Sequence, residues 1–282
     1  MRHVYGRGIV SNQNRGTEPD LATYIRYLNE TDPLRERTVL DIIAALDLPA
    51  GSSGLDVGCG MGTQALMLSD VIGPKGHVTG LDIRPEFLDY AREVVAKKGL
   101  SDRISFKEGN FNQLPYDDNS FDWVWSSDCI GYIPLTKEVT RVIKQGGSLN
   151  IAFWSSEQLL PGYPQLELKL KATIAGLAPF VADGKPESHP LRTLNKLKAV
   201  GLTDLQVMTF DCSVHAPLSA KIYQAMVDII EMRWPNVEDE LSKKDLHLYK
   251  RLTDPISSDY ILKLPDYYGF YTYSVFSGKV PK

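Results

Sequence analysis

Between residues 50 and 154 short apolar runs alternate with amphipathic stretches. Leu55-Asp56-Val57 predicts a short strand, and Thr63 to about Val71 a helix. His77 to Asp82 reads as a second strand, with a helix from Pro85 to about Lys98. Ile104-Ser105-Phe106 makes a third strand and Phe121 to Trp125 a fourth. A helix over roughly Leu135 to Lys144 leads to a fifth strand, Ser148 to Phe153. Strands separated by helical segments imply right-handed crossovers and a mostly parallel sheet covered by helices on both faces. In such sheets ligands bind at the carboxyl ends of the strands, near the point where strand order reverses. The turns after the first four strands are therefore the places to look for chemistry.

The flanks follow other patterns. Residues 1–19 are polar and read as a mobile arm, whereas 20–47 looks helical, with Val39, Ile42, Ile43 and Leu46 on one face. Asp32-Pro33 suits the start of the second half of that segment, because proline fits a first helical turn. After Trp154 the alternation breaks. The stretch 155–188 contains a helix-like run from Leu166 to Leu177, and 217–266 carries Ile222, Met226, Ile229 and Ile230 at helical spacing. Between them lie an amphipathic helix through Leu191, Leu194, Leu197 and Val200 and a strand at Leu205 to Phe210. Gly269 to Val280 alternates and closes the sheet. The expected fold is α/β: a Rossmann-like, seven-stranded sheet in a single domain over 1–282. Its parts are an N-terminal arm and lid (1–50), a cofactor-binding core (51–154), two helical insertions capping an acceptor (155–188 and 217–266), and segments completing the sheet (189–216 and 267–282).

Composition narrows the class. The net charge is −4, with no basic surplus of the kind that phosphate contacts require, so no nucleic-acid partner is expected. The three cysteines, Cys59, Cys129 and Cys212, are too scattered for a disulfide framework or a zinc site, and no metal is expected. No signal peptide is visible at the start, and no apolar run approaches the roughly 20 residues needed to cross a bilayer. A cytoplasmic protein is the expectation.

Gly58-Cys59-Gly60-Met61-Gly62 joins the first strand to its helix. A dinucleotide fingerprint would need its third glycine at position 63, which is Thr63, and no Walker lysine follows. Asp56 would repel a pyrophosphate, so the loop suits a ligand with a cationic group instead. The whole string Leu55-Asp56-Val57-Gly58-Cys59-Gly60-Met61-Gly62-Thr63 resembles motif I of the class I S-adenosylmethionine-dependent methyltransferases. That resemblance implies S-adenosyl-L-methionine as cofactor and S-adenosyl-L-homocysteine as product, with Asp56, Gly58, Cys59, Gly60 and Gly62 around the methionine end.

Further motifs agree. Asp82 ends the second strand, where a carboxylate can accept bonds from ribose hydroxyls; the resemblance assigns it that role and lays Ile83 against the adenine. Gly109-Asn110-Phe111 is similar to the family's G-D-[AV] element. Asn110 replaces the acid, though its amide oxygen can still accept the adenine amino group. Phe111 suits either stacking on the base or core packing. Leu114 to Asp122 is similar to L-P-[FY]-x-D-x-S-F-D and reads as structural, with Ser120 and Asp122 satisfying loop backbone groups. Arg141-Val142-Ile143-Lys144-Gln145-Gly146-Gly147 resembles the family's turn before the fifth strand, with Gln145 in place of proline. The likeness covers roughly 35–154 and hardly reaches the two insertions.

Methyl transfer from a sulfonium needs alignment and exclusion of water more than acid–base chemistry. The turn Ser126 to Tyr132 is expected to face the methyl group, with Ser127 on the cofactor. Asp128 and Tyr132 are the candidates for orienting or deprotonating an acceptor, although such turn residues are commonly solvent-facing. His189 and His215 are weaker candidate bases, and His189, just before Pro190, suits a helix start. Cys129 has no recognisable catalytic partner, and Cys59 fits packing. The nucleic-acid-type [DNS]-P-P-[YFW] motif is absent. Leu159, Leu160, Tyr163, Phe180, Tyr223, Met226, Trp234, Tyr267 and Tyr268 in or beside the insertions are core by default, and some can line an apolar pocket. The expectation is a small, partly hydrophobic acceptor, as in the ubiquinone/menaquinone branch the chain resembles, with Tyr24 closing over the methionine end. A non-catalytic cofactor-binding module and an NAD-dependent oxidoreductase are the alternatives.

Overall fold

The computed structural model describes residues 21–132, 135–177 and 185–282, together with the backbone but not every side chain of the first helix. The expected mobile arm lies outside the described residues. Seven strands form one sheet in the order β3-β2-β1-β4-β5-β7-β6. They are β1 (Ser53–Val57), β2 (His77–Asp82), β3 (Ile104–Glu108), β4 (Phe121–Ser127), β5 (Ile143–Gln158), β6 (Thr203–His215) and β7 (Tyr268–Lys279). The pairings from β3 through β5 are parallel, and β7 runs antiparallel to both its neighbours. The expected mostly parallel, Rossmann-like sheet is therefore what forms. Strand order reverses between β1 and β4, which leaves a crevice at their carboxyl ends.

Alternation within the strands explains the two layers. Trp123, Trp125, Ala152 and Trp154 face a core built with α1 (Leu21–Ala45), α2 (Thr63–Ile72), α5 (Pro164–Lys171), α8 (Ala220–Arg233), α9 (Lys243–Thr253) and the end of α3 (Pro85–Lys97). Val124, Ile151 and Phe153 face the other core, closed by α4 (Lys137–Arg141) and α7 (Thr193–Ala199). Gly54 is needed for close approach: a Cβ there would lie 2.1 Å from the Trp123 ring, whose Nε1 donates to Ser52 Oγ at 2.8 Å.

Four elements depart from the sequence expectation. Pro33 does not open a new helix but sits inside a continuous α1, where the Asp32 carboxylate serves side-chain partners instead of capping. The helix expected over Leu135–Lys144 shrinks to α4, because Ile143 already pairs with Phe121 as the first residue of β5. β5 overruns its expected end to Gln158, since β7 offers it a partner as far as Phe270. The run Leu166–Leu177 divides into α5 and α6 (Ile174–Leu177).

The insertions are joined through one buried ion pair. Arg233 at the end of α8 meets Glu157 of β5 at 3.0 Å and donates to the Ala175 and Gly176 carbonyls of α6. Glu157 also accepts from Trp154 Nε1 at 2.6 Å. Among the described residues no helix is long and apolar enough to cross a membrane, and no group of side chains could hold a metal ion.

Candidate functional site

The crevice at the switch point is built first by the glycine loop. Gly58, Gly60 and Gly62 have φ of 76°, 51° and 78°, the left-handed region that only glycine enters freely. A Cβ on Gly58 would lie 2.5 Å from Cys129 Sγ, so the loop abuts the turn after β4. A Cβ on Gly60 would meet nothing within 4 Å, so this part of the backbone faces open space.

Asp82 ties the end of β2 to this loop. Its Oδ2 accepts the Gly60 N–H at 2.9 Å and its Oδ1 the Arg84 N–H at 3.0 Å. A carboxylate has about four acceptor positions, so this one keeps capacity for a ligand. Burial holds the Asp82 carboxyl above the usual carboxylate range despite the backbone donors. Asp56 is 2% exposed, and its Oδ2 has no hydrogen-bond partner. Burial, and then the nearby Asp82 charge, push its carboxyl up to about 8. Two acids share one desolvated corner beside open backbone, an arrangement that a cationic ligand would relieve.

The other predicted positions divide. Ile83 is half-buried just beyond Asp82. Asn110 is exposed, but its Oδ1 already accepts the Asn112 N–H at 2.9 Å. Phe111, 5% exposed, lies in the core with Leu81 and Leu114. Cys59 is 8% exposed, and a Cβ on Gly80 would press on its sulfur at 2.8 Å, so it fills the space under the loop. Ser127 lies at the end of β4 with a buried Oγ that has no partner. Tyr24 falls in α1, and its side chain lies outside the described residues.

Asp128 and Tyr132 are not solvent-facing turn residues. Asp128 adopts φ 49° and is 8% exposed, and Tyr132 is 7% exposed. Asp128 Oδ1 accepts the Tyr132 hydroxyl at 2.9 Å and the Trp154 N–H at 3.0 Å, while its Oδ2 accepts the Tyr273 hydroxyl. Arg35 Nη1 stands 3.6 Å from the same Oδ2. Burial and the Asp128 charge hold the Tyr132 hydroxyl well above its ordinary range, so it stays protonated. A carboxylate this heavily bonded orders the turn. His189 Nδ1 accepts the Leu191 N–H at 3.2 Å, the helix-start role expected for it, and burial lowers its basicity. His215 is exposed at the end of β6.

Sequence reasoning missed Arg35, Gln64 and Tyr273. Gln64 Oε1 accepts Trp125 Nε1 at 2.8 Å, and Arg35 reaches from α1 to the β4 turn. Arg35 reads in sequence as a surface partner of Asp32, three residues away, and nothing local marks its long-range contact.

Residues 55–147 match the family model described as a methyltransferase domain. Over 153 residues the chain is 38% identical to a demethylmenaquinone methyltransferase of Shouchella clausii, a match covering 53% of this chain and 64% of that protein. The chain spans 50% of the matched demethylmenaquinone methyltransferase of Listeria monocytogenes, at 37% identity over 41% of this chain. Among solved structures, the YcgJ protein from Bacillus subtilis superposes with a TM-score of 0.52 at 16% identity, over 87% of this chain and 99% of that one. That likeness is one of fold.

Proposed function

We propose that the chain transfers a methyl group from S-adenosyl-L-methionine to a small, partly hydrophobic acceptor by in-line displacement. The observation that carries the reading is the buried, unpartnered Asp56 carboxylate behind a glycine loop tethered by Asp82, within a matched methyltransferase domain. The residues fit the cofactor. Asp56 would meet the cationic methionine end, the open backbone at Gly60 would lie along it, and Asp82 would hold the ribose. Ile83 would cover the adenine, and Ser127 supplies a hydroxyl beside the crevice. Asn110 would contribute through the acceptor capacity its amide oxygen retains, and Phe111 would back the base from the core.

The cofactor supplies an activated methyl group on a sulfonium, with a good leaving group built in. The chain's own work is positioning and exclusion of water. Asp128 and Tyr132 bond each other and fix the turn that faces the reacting centre, so they act by placement and not by taking a proton. The insertions α5–α6 and α8–α9, locked by Arg233 and Glu157, cap the carboxyl edge and enclose an apolar acceptor. The names of the relatives support this acceptor class, since demethylmenaquinone is a hydrophobic small molecule.

Titration calorimetry with S-adenosylhomocysteine and with NAD tests the reading, followed by transfer of labelled methyl from S-adenosylmethionine to a lipid extract and to an aqueous extract. Binding of S-adenosylhomocysteine with label in the lipid fraction is expected. Binding of NAD alone would sink the cofactor assignment, and label confined to polar products would sink the acceptor class.

A further inference from the structure

The first helix packs against α8, β6 and α2, and two of its side chains reach opposite sides of the crevice. Asp32 Oδ2 accepts the Thr63 hydroxyl at 3.0 Å, a bond to the residue directly after the glycine loop. Asp32 Oδ1 accepts from Arg35 Nη2 at 2.7 Å, and Arg35 Nη1 stands 3.6 Å from Asp128 Oδ2 on the β4 turn. The chain of contacts therefore runs Thr63–Asp32–Arg35–Asp128, from the β1 side of the crevice to the β4 side. Asp128 fixes the turn that carries Cys129, the residue against which Gly58 is pressed.

The middle of this path is poorly packed. A cavity of about 170 Å³ lies between α1 and α2, lined by Asp32, Arg35, Val39, Thr63, Gln64 and Met67 among others. Arg35 Nε is buried and has no hydrogen-bond partner. Lower down, α1 is anchored to β6 by Thr38 Oγ1 on the Asp211 carbonyl at 3.2 Å and by the Cys212 thiol on the Leu34 carbonyl. Leu34 and Val39 pack α1 into the core, while its hold on the glycine loop and the β4 turn runs through the side chains of Asp32 and Arg35.

We infer that Asp32 and Arg35 are positioning residues that strap the glycine loop to the β4 turn, so that cofactor retention and docking of α1 are thermodynamically linked. The inference rests on the cofactor reading given above. Linkage is reciprocal: if docked α1 tightens cofactor binding, bound cofactor must protect α1. A purely structural tie would carry no such ligand dependence.

The test compares amide hydrogen exchange over residues 30–45, with and without S-adenosylhomocysteine, and the dissociation constant of that ligand. The proteins are the native chain, Thr63→Val, Thr63→Ser and Arg35→Gln. In the native chain S-adenosylhomocysteine slows exchange in this segment several-fold. Its dissociation constant rises roughly tenfold in Thr63→Val and Arg35→Gln, about 1.4 kcal/mol, and Thr63→Ser restores the native value because the hydroxyl is what Asp32 accepts. If Arg35→Gln does not fold, the mild Thr63 pair decides alone. Native-chain binding without protection of 30–45, or a Thr63→Val dissociation constant equal to the native one, overturns the strap and leaves the cofactor reading standing. No binding of S-adenosylhomocysteine to the native chain overturns both.

Discussion

Asp56 and Asp82 show how much a single carboxylate's surroundings decide. Asp82 has backbone donors and still titrates high because burial outweighs them. Asp56 Oδ2 has no donor at all, and its carboxyl sits near 8. A ligand ammonium or sulfonium beside Asp56 favours the ionised form, so binding at pH 7 releases a proton. Calorimetry of S-adenosylhomocysteine in buffers of different ionisation enthalpy should detect that release, with affinity rising towards pH 8. In Asp56→Asn the release should vanish and the affinity should fall and become flat with pH. Asp82→Ala removes a ligand acceptor and strands the Gly60 and Arg84 N–H groups. Hydrogen bonds to a charged group contribute about 1.5–3 kcal/mol, so S-adenosylhomocysteine should bind at least roughly tenfold more weakly. Asp82→Asn, which keeps one acceptor oxygen, should recover part of the loss in the same titration.

At the scale of elements, strands β1 to β5 were legible because each carries a short apolar run, with an amphipathic helix after β1 and after β2. The glycine loop and Asp82 were legible because their chemistry is local in sequence. What escaped depends on distant partners. β5 runs on to Gln158 only because β7 pairs with it, and Asp128 is buried because Tyr273 and Arg35 come to it from opposite ends of the chain. The Arg233–Glu157 pair is of the same kind, joining residues 76 apart. Removing one partner of a buried pair costs about 3–5 kcal/mol, whereas replacing both by apolar groups can be neutral. Arg233→Met should therefore lower the chemical-denaturation midpoint strongly, and Arg233→Met with Glu157→Leu should recover only part of it, because the Trp154 indole N–H and the Ala175 and Gly176 carbonyls lose their partners. Gly54→Ala tests the other kind of local fit. Its Cβ would overlap the Trp123 ring, and overpacking costs roughly 1–3 kcal/mol, a loss the same denaturation series would show.

For the whole molecule the titrating groups fall into two sets with opposite consequences. Asp56 and Asp228 are raised by burial; Asp228 sits on α8, 2% exposed, beside Glu30 and 3.6 Å from Arg26 of α1. A folded protein whose carboxyls hold protons that the unfolded chain has released loses stability as pH rises through that interval. For Asp56 the interval runs from the ordinary value of 3.8 to about 8; for Asp228 it begins at the same point and ends lower. Asp122 and Glu138 are lowered by Lys144 and Arg141 and by backbone donors, so their contribution is lost as pH falls below the ordinary carboxylate range. Among these groups the two slopes meet in the ordinary carboxylate range, and the ligand-free protein should melt higher on the acid side of neutrality than at pH 8. Asp56→Asn should flatten the descent from there to pH 8, and Asp228→Asn should flatten only its first part. Saturating S-adenosylhomocysteine should move the maximum towards neutrality, because the bound ammonium makes the ionised Asp56 the favoured form. Thermal melts across pH 4 to 9 check all three. A maximum that stayed above pH 7 in the ligand-free protein would mean that Asp56 is already paired, and the argument for a cation in the crevice would fall with it.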